Sequence, residues 1–262
     1  MRIVRLYFRL LGAHLRALLE YEADFWILAA ATVLLQVINI AFLAALFAKV
    51  PDLNGWTFWA VVMMFGLVSF AEGFGSFFFE GLWRLAWQIN TGELDYFMVR
   101  PYPVVLQASS ADIGINGLSN IVMGGSMIGV ALAHLSVAWS PWRVLSGVFL
   151  LASAVVIKVA INLATNSVSF WLESSIPVFA LAVHQAGDLA RFPLSIYPLA
   201  LKAVLGFVLP FAFISFFPVA FLLEEGSAPW IGLLTPLVAL YCLTTAFSIF
   251  RRGLRRYESA GT

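Results

Sequence analysis

Apolar residues fill this chain in runs of twenty or more, and its charged and turn-forming residues gather in the gaps. A helix needs roughly 20 mostly apolar residues to cross a bilayer's hydrocarbon layer. Six stretches qualify: 25–48, 56–79, 115–135, 144–171, 203–223 and 229–250. The fifth is irregular. The apolar region around it, 195–223, is 29 residues long. That is about 43 Å as one helix, against roughly 30 Å of hydrocarbon. Pro210 and Pro218 interrupt it, and Glu224-Glu225-Gly226 makes a polar turn after it. A single tilted, kinked helix is one solution. A span followed by a short half-helix that re-enters from the outer face suits the prolines better.

Two segments carry stripes instead of runs. At 100° per residue, Arg2, Arg5, Arg9, Arg16 and Glu20 share one wedge of 1–22, with Ile3, Leu6, Leu10 and Leu11 outside it. This predicts an amphipathic helix lying in the plane of the cytoplasmic interface. In 178–192, His184, Asp188 and Arg191 recur at helical spacing, with Pro193 and Pro198 beyond them. That predicts a second surface helix inside a cytoplasmic loop at 172–200.

Basic residues orient the spans, because lysine and arginine concentrate on the cytoplasmic side. Arg2, Arg5, Arg9 and Arg16 precede the first span, Arg84 and Arg100 follow the second, and Arg191 and Lys202 follow the fourth. Arg251, Arg252, Arg255 and Arg256 follow the sixth. Twelve thus fall on one side, against Lys49 and Arg143 on the other, with Lys158 inside the fourth span. Both termini are expected in the cytoplasm. No cleavable signal is evident in 1–22, where charges occur throughout, so the first apolar run is expected to be retained.

Composition sharpens the class. Of 262 residues, 62% are hydrophobic and 11% charged, where a soluble domain has about 25% charged. With 24 Phe and 9 Trp there is more apolar surface than one soluble core can hide. The expectation is an all-α integral membrane protein of one domain, 1–262. It has six transmembrane helices, an in-plane helix at 1–22, a cytoplasmic loop at 84–103, a second at 172–200, a re-entrant helical element between spans five and six, and a tail at 251–262. The near-neutral net charge, +1, gives no sign of a nucleic-acid partner. The single cysteine, Cys242, excludes an intramolecular disulfide and reads as a small apolar helix residue.

Catalytic signatures are missing. There is no phosphate-cradling G-x-x-x-x-G-K-[ST] loop, no H-E-x-x-H and no G-x-S-x-G elbow, and His14, His134 and His184 lie in different segments. Gly125 and Gly129 form a G-x-x-x-G in the third span, a pattern that packs helices closely but also arises by chance. Charged residues inside spans are few. Glu72 falls in the second span and Lys158 in the fourth, so they either line a translocation path or neutralise one another as an ion pair. Asp112 sits at the mouth of the third span. No internal repeat and few ionisable residues speak against a secondary transporter; a polar pore lining is also hard to find.

The stretch QINTGELDYFMVRPYP, beginning at Gln88, breaks this apolar pattern. Within it, Gly92-Glu93-Leu94-Asp95 followed by Val99-Arg100-Pro101 resembles the G-E-L-D…L-x-R-P signature of bacterial type-2 ABC transporter permeases. More narrowly, it is similar to a six-span branch paired with a second permease and a separate ATPase. Leu209-Pro210-Phe211-Ala212-Phe213 with Phe217-Pro218, and the lead-in Tyr197-Pro198, resemble that branch's fifth span. Gly253-Leu254-Arg255-Arg256-Tyr257-Glu258-Ser259-Ala260 is similar to its C-terminal ending.

The resemblance implies that the first cytoplasmic loop holds a coupling helix that sits in a groove of the ATPase. Gly92 would end the extension of the second span. Glu93 and Asp95 would favour the N-terminal dipole of a short helix, and Leu94 belongs to the same motif. Tyr96, Phe97 and Met98 would offer an apolar wedge. Arg100 and Pro101 would stiffen the exit, together with Pro103.

The chain is therefore expected to be the permease subunit of an exporter in the bacterial inner membrane, not itself an enzyme. It would be driven by a cytoplasmic ATPase dimer that binds ATP and magnesium, with no cofactor of its own. Its partners would be that ATPase, a similar or identical second permease and membrane lipid. The aromatic, weakly polar spans point to a lipophilic or amphipathic cargo. An ion-coupled transporter and a non-transporting scaffold are the alternatives.

Overall fold

Inside hydrocarbon a peptide group has no water to bond, so apolar runs satisfy their backbone as helices. The computed structural model describes residues 7–9, 11–13, 15–16, 22–172, 176–226 and 228–258, and among them there is no strand. The long helices are α1 (Glu22–Phe47), α2 (Phe58–Phe79), α6 (Ile115–His134), α7 (Pro141–Ser167) and α11 (Thr235–Arg256). Between α2 and α6 lie three helices of six residues: α3 (Leu85–Asn90), α4 (Glu93–Met98) and α5 (Val104–Ser109). After α7 come α8 (Val178–Gly187), α9 (Leu199–Ala203) and α10 (Phe216–Leu223).

Among the described residues, five helical stretches are long and apolar enough to cross a membrane. Their starts are set locally. Thr57 caps α2 by accepting from the Ala60 amide, and Ser140 caps α7 by accepting from Arg143, with Pro141 in its first turn.

α2 is the hub, its apolar surface covered by α6, α7 and the segment after α8. Its seam with α6 is built on glycine. A Cβ on Gly73 would meet Ile121 N at 2.6 Å and Gly117 O at 2.7 Å; one on Gly124 would meet Phe70 N at 2.5 Å. Gly66 and Gly73, like Gly117 and Gly124, are seven residues apart, two helical turns, so each pair shares a face. The G-x-x-x-G noted in the sequence is elsewhere. Gly125 only grazes Phe70, and Gly129 has nothing within 4 Å.

The fifth crossing differs from expectation. His184 lies beside Glu72 and Lys158, Arg191 donates to Ser69 Oγ at 2.9 Å, Phe192 packs on Phe65, and the Ser195 carbonyl accepts from Asn54 Nδ2 at 3.4 Å. In chain order these contacts climb α2 from its C-terminal third to the loop before its first turn. Residues 178–196 therefore follow α2 from one end of the bundle to the other, with Ala180, Val183 and Ala190 buried and Val178, Phe179 and Leu181 exposed, in place of the loop expected at 172–200. Of the helically spaced polar residues, His184 and Arg191 face an internal polar seam, while Asp188 stays exposed and pairs with Arg191.

The more apolar stretch that follows folds back. α9 widens into a π turn at Val204–Val208 and stops before Pro210, which lacks the amide needed to continue. The chain then turns by 71° into Phe211–Leu223. Phe211 comes within 5.8 Å of Lys158 Nζ, whereas Glu224, just past α10, pairs with Arg143 at the start of α7. Residues 199–223 thus dip from the Asn54 end to the level of Lys158 and return. The re-entrant element precedes the sixth span, as expected, but takes up the stretch assigned to the fifth. Arg191 then sits inside the bundle and Lys202 near the Asn54 end. The basic bias becomes ten against three and keeps its sign.

In the N-terminal segment, residues 7–9, 11–13 and 15–16 are helical, with Arg9 and Arg16 exposed, Leu11 buried, and the Tyr7 hydroxyl donating to the Phe78 carbonyl. Arg2, Arg5 and Glu20 of the predicted stripe lie outside the described residues.

Candidate functional site

Two groups of residues stand out: the α3–α4 loop at one end of the bundle and the charge cluster inside it. The 3-10 turn Glu80–Leu82 extends α2 into α3, which ends at Thr91. Gly92 then adopts φ 76°, the left-handed conformation that glycine tolerates without a Cβ penalty, and α4 leaves in a new direction. Glu93 and Asp95 occupy the first turn of α4, where carboxylates oppose the dipole.

The faces of α4 are clearly divided. Leu94 and Phe97 are 0% and 8% exposed and join Ile89, Leu85 and Phe250 in the core, whereas Tyr96 and Val99 are 69% and 82% exposed. Spacing of i, i+3 explains both faces. Phe97 is therefore an anchor and not part of the outward apolar surface, which consists of Tyr96, Met98 and Val99. Gln107 Nε2 donates to the carbonyls of Phe97 and Tyr102, both at 2.9 Å, fixing the exit on either side of exposed Arg100 and Pro101.

The C-terminal end of α11 completes this end of the molecule. Gly253 lies against Phe170, where a Cβ would come within 2.3 Å of the ring, and Tyr257 meets the same ring edge-on at 6.3 Å. The Tyr257 hydroxyl stands beside Asp95 and is pushed up to about 12, first by burial and then by that carboxylate. Arg84 pairs with Asp112 at 3.4 Å, both partly exposed, and lies over Trp87.

Inside the bundle, Glu72 on α2 and Lys158 on α7 form an ion pair, with His184 Nδ1 3.8 Å from Glu72 and 3.5 Å from Lys158. One turn along α2, Ser69 accepts from Arg191 and from Gln36 of α1 at 3.1 Å. Gln36 also donates to Asn120 of α6 at 3.1 Å, and Arg191 pairs with Asp188 at 3.0 Å. A buried charge is tolerable only when paired and hydrogen-bonded, and this network supplies both conditions across five helices and the 3-10 turn Asp188–Arg191. Beside it is a cavity of about 10 Å³, room for one water, walled by Trp83, Asn162, Thr165 and Phe211 along with Lys158 and His184.

Sequence reasoning singled out Glu72, Lys158 and the residues Gly92, Glu93, Leu94, Asp95, Arg100 and Pro101. It missed that Gln36, Ser69 and Arg191 join the first two. Arg191 was visible as a polar position, but nothing local showed that it points inward. The two groups of predicted site residues lie at different depths, linked by α2 and α3.

Residues 33–261 match the family model described as ABC-2 family transporter protein. No curated protein and no solved structure matches the chain.

Proposed function

From the premise that the chain belongs to the ABC-2 transporter family, and is a permease component of an ABC transporter that associates with an ATPase subunit, we propose that it is the membrane half of an exporter for lipophilic or amphipathic cargo. The bacterial inner membrane is its site, with α3, α4 and both termini on the cytoplasmic face. ATP and magnesium are bound by the separate ATPase, which hydrolyses the ATP, and a second permease, similar or identical, completes the membrane part.

The observation that carries this reading is the build of α4. A lever must be rigid toward the bundle and free toward its driver. Leu94 and Phe97 fix the inner face, Gly92 sets the angle, and Tyr96, Met98 and Val99 remain available to a partner's groove. Closure of the ATPase against α4 passes through α3 and Glu80–Leu82 into α2, which carries α6 with it through their glycine seam. Arg100 and Pro101 hold the exit strand, and Glu93 and Asp95 stabilise the short helix.

An apolar groove of about 210 Å³ supports the cargo class. It opens between α6 and α7 and is lined by Leu67, Ile128, Leu132, Val148 and Leu151, with Arg143 at its rim. Sites of this kind take ligands by apolar contact with a few polar anchors.

The test is Tyr96→Asp with Val99→Asp, both on the exposed face. In reconstituted vesicles the variant is expected to insert normally and to lose ATP-dependent transport by about 10- to 100-fold, because two charges enter an apolar contact. Wild-type transport by this variant would sink the lever. Uphill transport by the purified permease alone, driven by an ion gradient, would instead favour a secondary transporter.

A further inference from the structure

α11 carries four arginines in its last two turns: Arg251, Arg252, Arg255 and Arg256. All four are exposed and none forms an ion pair among the described residues. At 100° per residue they cover one side of the helix, and Phe250 and Gly253 are buried on the other. The stretch Pro229–Arg256 is 28 residues, its first six in a 3-10 helix. With about 2.0 Å rise per residue there and 1.5 Å in the α-helix, it is about 45 Å long. That exceeds the roughly 30 Å of hydrocarbon, and Phe250 is the last apolar residue before the arginines, so the helix emerges near it. Arg251 and Arg252 then lie at phospholipid phosphates. Arg255 and Arg256 are another turn out, about 6 Å farther.

That outer pair directly precedes Tyr257, which stands beside Asp95 of α4. Phe250, Phe97 and Leu94 belong to one core, and the turn Val168–Phe170 packs both on α3 and, through Phe170 against Phe250 and Tyr257, on the end of α11. We propose that Arg255 and Arg256 form a second contact with the ATPase subunit, binding acidic side chains at the rim of the groove that receives α4. The inference rests on the function proposed above. It extends the docking surface from one helix to two. Charge at an interface rim mainly steers partners together and sets which of them fit.

The experiment uses the purified complex in nanodiscs of zwitterionic phosphatidylcholine alone, where no anionic lipid competes. Arg255→Glu with Arg256→Glu is expected to raise the Kd for the ATPase about tenfold or more and to flatten its dependence on salt. Arg255→Lys with Arg256→Lys is expected to stay within about threefold of wild type, since the charge is kept. Arg251→Glu with Arg252→Glu, one turn nearer the membrane, is expected to stay within about twofold. An unchanged Kd in the folded Arg255/Arg256 reversal overturns the inference while leaving α4 docking intact. A defect seen only with phosphatidylglycerol present also overturns it, because the arginines would then be lipid ligands. Wild-type protein that binds no ATPase would remove the function proposed above and this inference together.

Discussion

Glu72 and Lys158 illustrate how a bundle this apolar keeps a charge. Each alone would be a bare ion in a low-dielectric interior; together, with His184 alongside, they form a neutral unit. Removing one partner should therefore cost more than removing both. Glu72→Gln is expected to destabilise the fold by roughly 3–5 kcal/mol, and adding Lys158→Met should recover much of the loss. Thermal unfolding in detergent measures this. A single variant as stable as the double would mean that the pair is hydrated or partnered otherwise. The same scale shows what the sequence made legible. The turn at Gly92 and the acidic first turn of α4 follow from rules acting within a few residues. The inward turn of Phe97 does not, because it depends on Phe250 and Ile89, which only the tertiary fold brings near.

Helices meet here mainly through shape. Two apolar helices in lipid gain little from the hydrophobic effect, so close approach and packing decide their association. Gly73 and Gly117 let α2 and α6 touch backbone to backbone. Gly73→Ala is expected to cost about 1–3 kcal/mol because its methyl would strike Ile121 N and Gly117 O, atoms that no rotamer change can move. Gly129→Ala, in open space, should be neutral. Melting temperatures of the two variants, compared in one detergent, would test the seam. Equal values would show that this contact does not hold the helices. The seam was present in the sequence as a matched seven-residue spacing on two different helices. It went unread because a spacing on one helix has meaning only when its partner is known.

For the molecule as a whole, hydropathy gave the number of apolar runs but not the path of each. The region 199–223 is more continuously apolar than 178–196, yet it re-enters while the weaker segment crosses. Apolarity reports that a segment avoids water; it says nothing of whether the chain leaves by the face through which it came. The contacts of Ser195 with Asn54 and of Glu224 with Arg143 decide this. In a Cys242→Ala background, cysteines at Asn54 and at exposed Ile196 should react with a membrane-impermeant maleimide from the same side. A cysteine at Tyr96 should react only from the other. Labelling of Ile196→Cys from the Tyr96 side would restore the cytoplasmic loop and remove the fifth crossing described above.

The repeating glycines have one more consequence. Inserting or deleting a single residue between Gly66 and Gly73, or between Gly117 and Gly124, swings one contact about 100° away from its mate. Point changes on the outer faces of these helices leave the match untouched. This pair should therefore accept drift in letters far more readily than drift in length, and a natural variant with an indel in either interval should be non-functional even when every glycine is kept.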